Sequence, residues 1–485
     1  MPNHGMIGID DSIKRGSRRI AIVGEPWDII GPDVGTAASI VACELARRLA
    51  RNWRVTIYGR RQRGQKRSEI GLQTVEFKRL AVFRKHQKIM EVILGILACW
   101  TKRNLGSYVF SYFYHSFYFL RVALSIRISK TDVVLVVNLV QGAAIIKFFN
   151  PSAKVCLRMA CGWLSQFATA STERRLRTVD LIIGNSDYTI KKIRARFPEI
   201  AARCHTVRHG VDAVRFCPLP GASPQTDDSQ RLLFLGRVSP EKGAHVLIQA
   251  FRILAESRPA LHLDIVGYTG GILPYIYLSD MDDRGIGNLQ QFYGKGLSDM
   301  VRRQLIFRGR SYIEDLAAQV GEDRRIVFHG AVSQTETIGF YRHAAMLVYP
   351  SECNEPAGIA TIEAAACGLP VISTNGGGIP EYVEDGRTGL LTAHGDAQEL
   401  TRAIGRILDD PALARAMGEA GRQRVLERFT WDASARRVAE LIEGLSPVDR
   451  GHGDTLKTTV SESAAPPMAD YPITGSSRSF SHAPE

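Results

Sequence analysis

MLVYPSECNEPAGIATIEAAACGLPVISTN, residues 346–375, decides the fold. MLVY is a short apolar run ending in a polar loop, residues 358–367 are small or apolar apart from Glu363, and PVISTN resumes a β-branched run. Buried strand, buried helix and strand in that order make a βαβ unit with parallel strands. Ligands of such sheets bind in the crevice at the carboxyl ends of the strands, where Glu355 and Glu363 stand close enough to face one polar ligand. Unpaired N–H groups and the macrodipole at the helix start favour a phosphate there. Gly376, Gly377 and Gly378 would let a second backbone segment approach as closely. An ordinary helix cap with two solvated carboxylates explains the same residues.

The rhythm continues in both directions. RLLFLGR (231–237), a helix at 245–256, LHLDIVG (261–267), RIVFHG (325–330) and a helix at 335–344 precede the stretch, and GLLTA (389–393) follows it. Further upstream, RRIAIVG (18–24), a helix at 36–52 and WRVTIYG (53–59) open another parallel βαβ unit. VVLVV (133–137), KVCLRM (154–159), LIIGNS (181–186) and TVRHG (206–210) supply more strands. The expected fold is α/β, with two tandem Rossmann-like doubly wound domains at residues 18–217 and 231–430. The polar stretch 218–230 is their linker. Residues 1–17 are expected to be flexible, and the polar tail 447–485 cannot bury a core.

The 485-residue length suits two domains, and 45% hydrophobic with 23% charged residues is a globular composition. No apolar run reaches the roughly 18–20 residues of a spanning helix. The first 17 residues lack the apolar core of a secretory signal, and the eight cysteines show neither zinc nor redox spacing, so a cytoplasmic setting is expected. Residues 1–220 carry 36 Lys+Arg against 15 Asp+Glu, a net of +21, leaving −8 for residues 221–485. Halves of opposite sign imply different partners. No helix-turn-helix, zinc or RRM signature accompanies the basic half, which argues against nucleic acid. IAIVGEPWDIIGPDVG has no G-x-G-x-x-G directly after its strand, which argues against a dinucleotide dehydrogenase.

FLGRVSPEKGAHV places Arg237 after a strand and Lys242 before a helix, both at the edge that the Glu355 loop reaches. Arg can grip two oxygens of a pyrophosphate and Lys supplies a point charge. A solvated surface pair is the bland alternative.

GRVSPEKG (236–243), HGVDAVRFCP (209–218), NSDYTIKKI (185–193) and the run from Tyr349 to Leu391 together resemble a family 4 retaining glycosyltransferase of GT-B fold. The resemblance covers about residues 18–446 and is strongest from 206 onward. It implies metal-independent transfer of a hexose-type sugar from a nucleotide-diphosphate sugar, a co-substrate rather than a cofactor, to an acceptor held by the N-terminal domain. It also implies a C-terminal helix (431–446) crossing back to the first domain. By position, Arg237, Lys242 and Glu355 would be catalytic, the cations on the pyrophosphate and Glu355 at the donor sugar. Gly35, Gly236 and the Gly358 and Ile359 amides would approach the donor, and Glu363 would take the ribose hydroxyls.

One position departs from the family. A histidine is usual after the strand corresponding to VCLRM, whereas this chain reads RMACGW, with none between 116 and 204. Arg158 or the backbone of residues 160–162 is left to replace it, and a catalytically silent nucleotide-sugar-binding or scaffold protein is the alternative function. SDMDD (279–283) contains Asp-x-Asp in a Gly-rich insertion and reads as a solvated loop. The aromatic stretch 105–130, within the basic half, reads as a buried helix pair or as an anionic-membrane patch. The expected function is transfer to a glycan or lipid-linked acceptor in polysaccharide or glycolipid synthesis, peripherally at the inner membrane face.

Overall fold

The structure is a computed structural model that describes residues 18–31, 36–62, 64–72, 74–82, 115–166, 170–219, 230–269, 289–293 and 312–445. Gly35, the SDMDD segment, both termini, residues 105–114 of the aromatic stretch and most of the 218–230 linker lie outside them.

Fourteen strands form two sheets among the described residues. The first contains β1 (Arg19–Val23), β2 (Arg54–Arg60), β3 (Ser68–Gly71), β4 (Val75–Leu80), β5 (Val133–Val137), β6 (Lys154–Met159), β7 (Leu181–Gly184) and β8 (Cys204–Thr206), in the order 3-4-2-1-5-6-7-8. All its pairs are parallel except β3 with β4. The second contains β9 (Arg231–Leu235), β10 (His262–Val266), β11 (Ile326–Gly330), β12 (Met346–Tyr349), β13 (Val371–Thr374) and β14 (Gly389–Thr392), all parallel, in the order 11-10-9-12-13-14. Two doubly wound sheets make this a GT-B fold. The order reverses between β1 and β5 in one sheet and between β9 and β12 in the other, so each has one switch-point crevice.

The strand residues explain the layers. β5, VVLVV, is buried throughout, as a parallel strand covered on both faces must be. One face packs with Phe119, Val140 and Ile146 from the helices Ser116–Ser129 and Val140–Phe149. The other meets helix Ala37–Leu49, whose first turn is capped by Thr36 accepting from the Ser39 amide at 3.2 Å.

Helix Trp431–Glu443 crosses back to that same face. Trp431, Ala435, Val438 and Ile442 enter the core with Val41 and Leu45, and Asp432 takes Arg48 Nε at 2.9 Å. The crossing explains a difference from the expected strand at 206–210, because pairing stops at Thr206. The Val207 amide still donates to the Gly184 carbonyl at 2.8 Å, but residues 208–210 leave the sheet to meet the crossing helix, and a Cβ on Gly210 would lie 2.3 Å from the Trp431 nitrogen. The β3–β4 hairpin went unread because β3 is short and mostly exposed, without an apolar signal. No helix among the described residues is long and apolar enough to cross a membrane.

Candidate active site

The second switch point is built from the loops after β9 and β12. After β9 the chain runs through Gly236 and Arg237 into a 3-10 turn, Pro240–Lys242, that ends on Gly243 with φ +75°. No side chain fits there, since a Cβ on Gly243 would sit 1.8 Å from the Pro350 carbonyl oxygen. The close approach lets the two loops knit. Ser351 Oγ donates to the Glu241 carbonyl at 3.0 Å, and the Glu352 amide donates to the same oxygen at 3.0 Å.

Lys242 Nζ donates to Glu355 Oε1, and Ser351 Oγ lies 2.9 Å from that oxygen. Glu355 is only 5% exposed. Burial alone would depress the Lys242 ammonium, but Glu355 and Tyr349 outweigh it and hold the pKa above the usual lysine value. Arg237 donates Nε to Ser239 Oγ at 3.1 Å and pairs through Nη2 with the buried Glu241 carboxylate. It also lies close enough to Lys242 for their charges to oppose each other. Two cations thus share one crevice, each against its own carboxylate.

Helix Ile359–Ala366 starts beside Glu355, and its N-cap, Gly358, offers no side-chain cap. The glycine turn comes in close against the Glu355 loop. Gly378 N donates to the Glu355 carbonyl at 2.7 Å, and Gly377, at φ +63°, passes so close that a Cβ would lie 2.2 Å from that oxygen. These glycines hold the Glu355 loop. Glu363, one turn along the helix, accepts from Tyr341 OH at 2.9 Å and Gln334 Nε2 at 3.2 Å. Burial dominates and pushes its carboxyl up to about 7, with both hydrogen bonds pulling the other way.

The first switch point carries residues that sequence reasoning passed over. Glu25 follows β1 and Gly24 just as Arg237 follows β9 and Gly236, a parallel visible in IVGE and FLGR. Glu25 Oε1 accepts from Asn138 Nδ2 at 2.9 Å, and Asn138 Oδ1 accepts from the Ala160 amide at 2.7 Å. This chain ties the carboxyl ends of β1, β5 and β6 at the position where the family histidine is missing. Burial, then Asp28, raise the Glu25 carboxyl above its ordinary value.

Arg158, one of the groups left to replace the histidine, is turned toward His209. It is 1% exposed, with Nη2 3.4 Å from Nδ1 of His209, and burial lowers its pKa to about 10. On a β-strand successive side chains take opposite faces, and Arg158 shares with Cys156 the face toward the crossing helix.

Glu381 joins the halves. It accepts the Asp187 and Tyr188 amides at 2.9 and 2.8 Å and Arg208 Nη2 at 2.8 Å, while Tyr382 OH donates to the Asn185 carbonyl at 2.6 Å.

Residues 220–424, which hold Arg237, Lys242, Glu355 and Glu363, match the family model "Glycosyl transferases group 1". This segment belongs to the group 1 glycosyl transferases. The chain is 30% identical over 283 residues to D-inositol 3-phosphate glycosyltransferase of Corynebacterium jeikeium, covering 56% of this chain and 59% of that protein. It is 29% identical over 280 residues to glycogen synthase of Mycobacterium tuberculosis, covering 58% of each. The chain therefore spans somewhat under two thirds of these relatives. In three dimensions it resembles sucrose-phosphate synthase of Thermosynechococcus elongatus, with TM-score 0.61 and 22% identity over 88% of this chain and 99% of that one. It also resembles the Anabaena HepE protein solved with UDP-glucose, with TM-score 0.59 and 18% identity over 88% and 100%. These likenesses show the GT-B fold.

Proposed function

We propose that the protein is a retaining glycosyltransferase that moves a sugar from a nucleotide-diphosphate sugar to a glycan or lipid-linked acceptor, at the inner face of a membrane. The observation that carries this reading is the convergence of Arg237, Lys242 and Glu355 at the switch point of the second sheet, beside an uncapped helix start. When the bond from the anomeric carbon to the phosphate oxygen breaks, its electron pair goes to the diphosphate. The acceptor oxygen bonds to that carbon and releases its proton.

Cations and N–H dipoles already aimed at the diphosphate stabilise this charge more in the transition state than in the ground state. Arg237 and Lys242 are held by Glu241 and Glu355, which orient both cations in the crevice. Glu355, freed from Lys242, is placed to take a sugar hydroxyl or face the developing positive charge. The alternative, nucleotide-sugar binding without turnover, is favoured only by the Ala-Cys-Gly at 160–162 where a histidine is usual.

A thermal-shift panel of UDP, GDP, ADP and their sugars tests the reading, because a ligand of the native state alone raises stability by mass action. One nucleotide should raise the melting temperature, and Arg237→Ala should abolish the shift. No shift with any nucleotide would overturn the proposal. A shift together with no donor consumption over a panel of glycan and lipid acceptors would favour the silent alternative.

A further inference from the structure

Helix Ser116–Ser129 turns an apolar stripe outward. Tyr118, Phe119, Val122, Ala123 and Ile126 are buried against the first sheet, so the opposite face should be polar. Instead Phe117, Leu124 and Ile128 stand 58%, 44% and 84% exposed, four to seven residues apart along one side. Arg121 lies between them, its guanidinium 5.8 Å from the Phe117 ring.

The stripe continues onto β4 as a groove of about 310 Å³ lined by Lys78, Leu80, Arg121, Leu124 and Ile128. The helix sequence SFYFLRVALSIRIS contains no acidic residue, and Arg127 and Lys130 are exposed at its end. Glu76, on the same face of β4 as Lys78, is paired with that lysine at 3.5 Å and accepts from Ser68 at 3.1 Å. Apolar side chains rimmed by cations, in a half of net charge +21, complement an anionic lipid surface.

The start of the helix, next to Phe117, sits beside the first switch-point crevice. Tyr118 OH donates to the Gly24 carbonyl at 3.2 Å, and His115, just before the helix, packs on Trp27 with ring centroids 5.4 Å apart.

We propose that Phe117, Leu124 and Ile128 insert at the headgroup level of an anionic membrane, with Lys78 and Arg121 on its phosphates, and that this docking brings a lipid-linked acceptor to the crevice after β1. The inference rests on the proposed transfer reaction for its acceptor and on the exposed stripe for its surface.

Flotation of the full chain with vesicles tests it. Wild type should float with phosphatidylcholine–phosphatidylglycerol vesicles at least tenfold more than with phosphatidylcholine alone. The variant Phe117→Ser/Leu124→Ser/Ile128→Ser should lose at least tenfold of that binding, and Lys78→Ala/Arg121→Ala should lose the preference for the anionic lipid. All three replaced apolar residues are exposed, so both variants should keep the nucleotide thermal shift. Flotation of the triple variant equal to wild type, or of wild type with neither vesicle, would overturn the inference. So would a concentration-dependent dimer abolished by the triple variant, since a second copy would then cover the stripe. Nucleotide binding without flotation removes only this inference, and flotation without nucleotide binding removes only the transfer reaction.

Discussion

Lys242, from the loop after β9, meets Glu355, from the loop after β12, across the point where the second sheet reverses its strand order. Both side chains are largely buried, so neither charge can be removed without stranding the other. Lys242→Met should destabilise the fold by about 3–5 kcal/mol, and adding Glu355→Leu should recover much of that loss. Urea unfolding of both single variants and the double variant reads the coupling. Additive losses would show that the pair is not held together in solution.

Turnover should be more sensitive than stability at Arg237. It is one-third exposed, so Arg237→Ala should cost less stability than Lys242→Met, although it unpairs the buried Glu241 carboxylate. Its kcat should fall roughly 100-fold to 1,000-fold, as for one lost contact to developing charge. Steady-state kinetics with the donor found by thermal shift would check this, and a change confined to KM would point to ground-state binding alone.

Glu363 should make the protein respond to pH. Its folded pKa of about 7 lies above the ordinary glutamate value, so the native state holds the proton more tightly than the unfolded chain. Its stabilising contribution is complete below the unfolded value, near pH 4.3, and is lost as pH rises through about 7. Glu363→Gln should flatten that part of the stability profile. If ribose hydroxyls donate to the ionised carboxylate, nucleotide affinity should strengthen as pH rises through about 7 in wild type and stay level in the variant, as calorimetry at several pH values would read.

Glu381 holds the start of helix Asp187–Arg196 and Arg208 at once. Glu381→Ala leaves two backbone amides and a guanidinium without that acceptor and should cost about 1–3 kcal/mol. Glu381→Gln, which keeps one carbonyl acceptor, should cost less. Chemical denaturation of the pair orders them, and equal losses would assign the effect to packing.

Gly243→Ala forces a side chain into φ +75° and against the Pro350 carbonyl. A loss of about 1–3 kcal/mol is expected from the backbone conformation. Turnover should fall as well, because the turn that carries Lys242 must shift. Wild-type kinetics in a destabilised variant would separate the turn from the site.

The sequence alone determined the parallel strands at the centre of both sheets, since runs such as VVLVV and RLLFL are apolar on both faces and their pattern is local. It also determined which charged residues stand at the carboxyl edges, because Arg237, Lys242, Glu355 and Glu363 each sit next to a legible strand or helix. The tertiary structure decided what depends on distant chain segments. The strand order that sets β9 beside β12 is one such feature, and so are the pairing of Lys242 with Glu355, the glycines 376–378 gripping a loop rather than lying open, and the turning of Arg158 toward His209. The chain's exit from β8 at Thr206 depended on Trp431, more than two hundred residues away, because two backbones can pass that closely only where Gly210 has no side chain.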